Sequence, residues 1–194
     1  MLMRHLRYLL CLACLGLLQA APAAAADSPA SWQARCQPDL ALESVDFASQ
    51  SGDVAEDDFV VHLNWRNGQR TRLALPGAWY LQTEALSRRG GVCSGIGAVH
   101  LPHHTLLLVL PWSGRPGFDR LSAVALDLQT RQVRDIQADI GEISPDYRAE
   151  VQPERYSLYA IKNWLVHADG RDEVQSAWLD VAVREGKIVR AWRP

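Results

Sequence analysis

No apolar run in this chain is long enough to cross a bilayer. The longest, residues 8–18, stops well short of the about 20 residues that a membrane-crossing helix needs. Lysine is nearly missing, with Lys162 and Lys187 its only instances, and 20 Lys+Arg against 22 Asp+Glu leave a formal net charge of −2. Scattered arginines on a mildly acidic chain give no electrostatic footprint for nucleic acid or for an anionic membrane. Cysteine is scarce, and two of the four, Cys11 and Cys14, fall within the first 26 residues. A sustained 3.6-residue apolar period is also lacking beyond residue 26, which argues against a helical bundle or an α/β sheet.

What the N-terminus does contain is an address. Residues 1–7 carry Arg4 and Arg7 and no acid, residues 8–18 are apolar or small, and residues 19–26 end in a tract of alanines. A basic segment, a short apolar segment and a small-residue cleavage site are the parts of a secretory signal peptide. The expectation is cleavage near Ala26 and a periplasmic or secreted protein. Lipidation of Cys14 is the lesser reading, because Cys11 stands where a lipobox wants an aliphatic residue. Cys36 and Cys93 then remain alone in an oxidising compartment, where one disulfide is the default. The bridge would pin an N-terminal arm, residues 27–58, to the middle of a single β domain, residues 59–194.

Strong patterning begins at Phe59. Phe59, Val61, Leu63 and Trp65 alternate with Val60, His62 and Asn64, the period of a half-buried strand, and Thr71, Leu73 and Leu75 continue it after Asn67-Gly68. A two-residue loop would set Leu63 against Arg72, apolar face against charged. A three-residue loop, Arg66-Asn67-Gly68, sets Leu63 against Thr71 and Val61 against Leu73, with Gly68 left-handed, and is predicted for that reason. In the arm, at most a short helix or a lone strand near residues 44–48 is expected. Residues 98–101 and 105–112 form a hairpin about Pro102-His103-His104, residues 113–119 a Gly/Pro loop, and residues 121–128 and 132–136 another hairpin. Residues 139–155 read as loop; residues 156–167, 176–183 and 187–192 read as strands. The fold class is all-β and mostly antiparallel, built of meander hairpins, in a small propeller-like or a sandwich arrangement.

Chemistry-bearing residues are few. His100, His103 and His104 cluster at a strand end and turn and are the candidate metal ligands, although a polar turn that happens to hold histidines is the commoner meaning of such a cluster. Ser94 lies among glycines, but Val92 and Ile96 stand where a nucleophile elbow needs glycine. Asp53, Glu56, Asp57 and Asp58 lack the spacing of a calcium loop. No coherent catalytic set and no cofactor motif emerges. Trp65, Trp164, Trp178 and Trp192 fall in strands, and most of them are expected in the core. Trp112, Arg115 and Phe118, on the Gly/Pro loop, combine the residue types that dominate binding hot spots and are the candidate partner-binding residues, with residues 146–155 as a second contact segment.

The run Ala125 to Val133, an aspartate and a threonine bracketing a turn between apolar strands, resembles the outer hairpin of a β-propeller blade. By architecture and address the chain is similar to the periplasmic immunity proteins that plug incoming cell-wall-degrading enzymes. That resemblance implies a non-catalytic exported protein whose partner is a protein, such as a secreted hydrolase, with no nucleic acid and no stable membrane insertion. The rivals are a metal-binding or enzymatic protein using His100, His103 and His104, and a structural envelope component.

Overall fold

The computed structural model describes residues 31–49, 59–73, 91–115, 118–144, 146 and 148–194. The expected signal peptide, the acidic run at 53–58 and residues 76–89 lie outside the described residues. Those described form an all-β, antiparallel structure of twelve strands in two sheets, with no helix among them.

The smaller sheet is a meander of β1 (Ser31–Arg35), β2 (Leu42–Ser49), β3 (Phe59–Trp65) and β4 (Arg70–Leu73) in chain order. Two of these strands lie in the segment read as an arm with at most one. Their signal in the sequence is short: Val45 and Phe47 point inward beside Asp46, and a bulge between Leu42 and Ser44 interrupts the alternation. The β3–β4 hairpin has the predicted register. Val61 faces Leu73, Leu63 faces Thr71, and Gly68 closes the three-residue loop at φ +86°, donating its N–H to the Trp65 carbonyl at 2.9 Å. Trp65 is fully buried, and its indole Nε1–H donates to Thr71 Oγ1 at 3.0 Å, so the aromatic fills core without orphaning its polar atom.

The larger sheet holds β5 (Gly97–Leu101), β6 (Thr105–Arg115), β7 (Phe118–Asp127), β8 (Gln132–Ile143), β9 (Ala149–Gln152), β10 (Arg155–Val166), β11 (Asp172–Arg184) and β12 (Lys187–Arg193), ordered β12-β11-β10-β8-β7-β6-β5 with β9 beside β10. It curls into a half-barrel. β8 pairs with β7 up to Glu142 and with β10 only at Glu142 and Ile143, and beyond that corner β10–β12 fold back over β5–β7. Leu107, Val109 and Leu121 thereby meet Tyr156, Leu158 and Leu179 inside the curl. The approach is close: a Cβ on Gly97 would lie 2.7 Å from the Tyr156 ring.

The other face of β5–β7 packs on the small sheet, where Leu106, Leu108, Leu110 and Val124 join Val45, Phe47, Val61 and Leu63. A strand covered on both faces has no polar side, which is why residues 106–110 are an unbroken apolar run. Each fully buried leucine there contributes about 1.5–3 kcal/mol of apolar transfer.

Cys36 and Cys93 are joined by the expected disulfide, across 57 positions of sequence. Around it, residues 91–94 run beside β1: Gln37 N–H donates to Val92 O at 2.9 Å, and Ser94 N–H to Arg35 O at 2.8 Å. On their other side Val92 N–H donates to Ala98 O of β5, so this segment links the two sheets. Closing such a loop limits the unfolded chain by roughly 4 kcal/mol on the chain-entropy estimate.

Two segments expected as loops are strand. Residues 113–115 and 118–119 extend the β6–β7 hairpin, with Ser113 facing Asp119 and Arg115 facing Phe118. Residues 139–143 complete β8, and residues 149–152 are β9. Glycine and polar residues suggested breaks, but ladder pairing with a neighbouring strand supplies what local propensity does not.

Candidate binding surface

Beyond Ile161, β10 pairs only with β11, and β12 joins β11 only from Trp178 onward, so the two strands continue as a ribbon whose residues 162–175 are all exposed. Its tip repeats the β3–β4 device. His167 N–H donates to Arg171 O and Gly170 N–H to His167 O, closing a three-residue loop. Cross-strand pairs stiffen it: Asn163 Nδ2 to Gln175 Oε1 at 3.3 Å, and His167 Nε2 with Glu173 Oε2 at 3.0 Å. The Gln175 amide and then His167 hold the Glu173 carboxyl below its ordinary pKa.

One irregularity sets what the ribbon presents. Ile161 faces Ser176, yet Asn163 faces Gln175, so Lys162 is an extra residue in a β-bulge. Side chains alternate along a strand. The extra residue therefore puts Trp164 and Val166 on the outer face of β10 with Tyr159 and Ile161, and opposite them Val174 and Trp178 share that face of β11. Without the bulge Trp164 would point the other way. The outcome is a continuous aromatic and aliphatic stripe in which Trp164 is 39 %, Val166 72 % and Val174 40 % exposed.

At its root the stripe is fixed by rings and guanidinium groups. Tyr159 and Trp178 meet edge to face, centroids 5.8 Å apart at 68°. Arg148 lies 5.2 Å from the Tyr159 centroid, and Arg193 5.0 Å from that of Trp178, both at cation–π distance. Arg193 is held in turn by Asp180, Nε to Oδ1 and Oδ2 at 3.1 and 3.2 Å, and by Glu150 at 3.6 Å. Asp180 also accepts from Ser157 Oγ at 2.6 Å and pairs with Arg155 Nε at 3.5 Å. With its oxygens so committed, Asp180 is an anchor for the arginines. Two side chains are thus preset at the root of a projecting ribbon whose end is exposed.

The sequence-derived candidates map unevenly onto this. Trp112, Arg115 and Phe118 have strand backbones at the far end of the β6–β7 hairpin, and their side chains lie outside the described residues. Arg148 and Glu150, from the second contact segment, flank the stripe. His100, His103 and His104 are exposed, His103 and His104 in left-handed conformations at φ +58° and +55°. Among the described residues no three His, Cys, Asp or Glu side chains gather as a metal site. Ser94 has a structural role, its Oγ accepting from Arg35 N–H at 3.0 Å.

The tryptophan assignment needs correction. Trp65 is core, but Trp164 and Trp192 are exposed and Trp178 is half-buried. Residues 156–166 are apolar enough to read as interior; the polar facing residues Gln175, Glu173 and Asp172 are the signal that β11, and so the ribbon, leaves the core. Comparison of the chain with protein-family models, curated proteins and solved structures finds no match.

Proposed function

We propose that this chain is a non-catalytic exported binding protein that docks a protein partner along the outer stripe of the β10–β11 ribbon. The observation that carries the reading is the exposure of Trp164, Val166 and Val174 next to Tyr159 and Trp178, which arginines hold in place. Large apolar side chains in water are tolerated singly, whereas a contiguous set rimmed by polar groups marks an interaction site. Tryptophan, tyrosine and arginine are the side chains that dominate interface energetics. Preset rings lose little freedom on binding, which favours affinity. Following the resemblance to immunity proteins, the partner is a secreted hydrolase acting on the cell wall, whose cleft the narrow ribbon enters.

The experiment is capture from periplasmic extract on the immobilised protein, identification of what is retained, and titration of the purified partner against wild type and Trp164→Ala. A central aromatic anchor is worth about 2 kcal/mol or more, roughly thirtyfold in Kd. Equal affinity of the two proteins for the partner would remove the stripe from the interface.

A further inference from the structure

A second feature, independent of the ribbon, lies at the open end of the curl. The β5–β6 turn, the β9–β10 turn and the β11–β12 turn surround a cleft of about 750 Å³. Its apolar wall includes Leu101 and Val183, and four cations, Arg134, Arg155, Arg184 and Lys187, line it. The volume falls in the range of small-molecule sites, and apolar walls with a few convergent polar groups are their usual build.

Two of the cations are paired with carboxylates. Arg134 binds Asp127 through Nε at 3.1 Å and through Nη2, and its Nη1 donates to Thr105 Oγ1 at 3.3 Å. Asp127 is pinned by the backbone N–H groups of Gln129 and Thr130 at 2.8 and 2.9 Å. Arg155 is tied to Asp180. A guanidinium has five N–H donors, so these anchors leave donors over for a ligand. The other two flank a tight turn: Arg184 is exposed with no side-chain partner among the described residues, and Lys187, 72 % exposed, donates to Asp135 at 3.4 Å. Glu154 and Glu185 sit in the exposed turns at the rim.

We propose that this cleft binds a small amphiphilic anion, its carboxylate or phosphate held by Arg134, Arg155, Arg184 and Lys187 and its apolar body laid on Leu101 and Val183. Arginine suits planar oxyanions because it donates in a fork. The apolar wall demands a body as well as a charge, so a free inorganic anion lacks half of the recognition.

The test is calorimetric titration of the full chain with octanoate, octyl phosphate, octanol and inorganic phosphate. Octanoate or octyl phosphate binds, the tighter of the two identifying the head group, while octanol and inorganic phosphate bind at least about tenfold more weakly, the scale of one lost charge-assisted hydrogen bond. Arg184→Ala with Lys187→Ala, both exposed and flanking the β11–β12 turn, weakens binding by about the same factor. Glu154→Gln with Glu185→Gln tightens it by removing like charge from the rim. Octanol binding as well as octanoate, no binding of either amphiphile in the millimolar range, or an unchanged Kd in the Arg184/Lys187 variant overturns the proposal. None of these results depends on the ribbon, so they leave the docking reading untouched.

Discussion

Trp164 faces Val174 across the ribbon, two residues along β11 from Ser176 but three along β10 from Ile161. That mismatch, absorbed at Lys162, carries the tryptophan to the outer face. Deleting Lys162 closes the bulge while keeping the Trp164–Val174 pair, so partner binding stays within about threefold. Inserting alanine between Gln175 and Ser176 instead gives Lys162 a facing residue and turns the tip over, because a one-residue slip exchanges the faces of a strand. The insertion loses affinity at least as much as Trp164→Ala. The comparison of the three Kd values checks this, and equal losses from deletion and insertion would contradict it.

Gly68 and Gly97 separate conformational from steric need. At Gly68 φ is +86° and nothing lies within 4 Å of an added Cβ, so Gly68→Ala costs only the left-handed backbone, about 1 kcal/mol. At Gly97 an added methyl meets the Tyr156 ring at 2.7 Å, inside a core packed on both sides. Overpacking there costs about 1–3 kcal/mol, and Gly97→Ala with Tyr156→Phe does not recover it, because ring carbons as well as the hydroxyl clash. Urea midpoints of the variants test the order.

Asp127 stiffens the β7–β8 turn. The Thr130 backbone N–H first, then Arg134, bring its pKa down to about 2 from 3.8. Its ionised form is favoured in the fold, so its contribution is complete above about pH 3.8 and is lost as pH falls toward 2. Asp127→Asn keeps an acceptor oxygen but has no proton to gain. Its stability therefore changes less than wild type over that window, as seen in acid unfolding followed by far-UV circular dichroism. Parallel curves would remove this role.

His62 has the same sign of pH dependence for a different reason: its neutral form, not its charged one, is favoured in the fold. It stands on β3 between Asp46 and Arg72, with Nδ1 buried and unpartnered. Burial, then Arg70 and Arg72, push its pKa below the ordinary 6.5, against the pull of Asp46. The unfolded chain takes up the proton first, so stability is complete above about pH 6.5 and declines below it until the folded value is passed. NMR titration of the ring finds the lowered value, and His62→Gln flattens the decline.

The sequence announces the parts that obey one period. Alternation from Phe59 to Leu73 and an Asn-Gly turn were enough to place the β3–β4 register, since one face is buried and only one loop length matches the faces. The unbroken apolar run at 106–110 marks a strand, and the structure supplies the reason it has no polar side: both of its faces are covered. By contrast, β1 and β2 carry too few alternating residues to stand out, and a bulge breaks the little pattern they have. The stripe was hidden because Trp164 and Val166 look like core until the lack of a third strand beside them is known. Sequence distance hid the cleft, whose turns at 102–104, 153–154 and 185–186 meet only through the curl of the sheet.

Site-specific photocrosslinking tests the docking claim most directly. A benzoylphenylalanine at Val166, on the outer face, and another at Arg72, exposed on the small sheet, are placed in separate full-length proteins and irradiated in periplasmic extract. The account predicts one discrete adduct from position 166, absent when Trp164 is also changed to alanine, and none from position 72. No adduct at 166, or the same adducts from both positions, would contradict it.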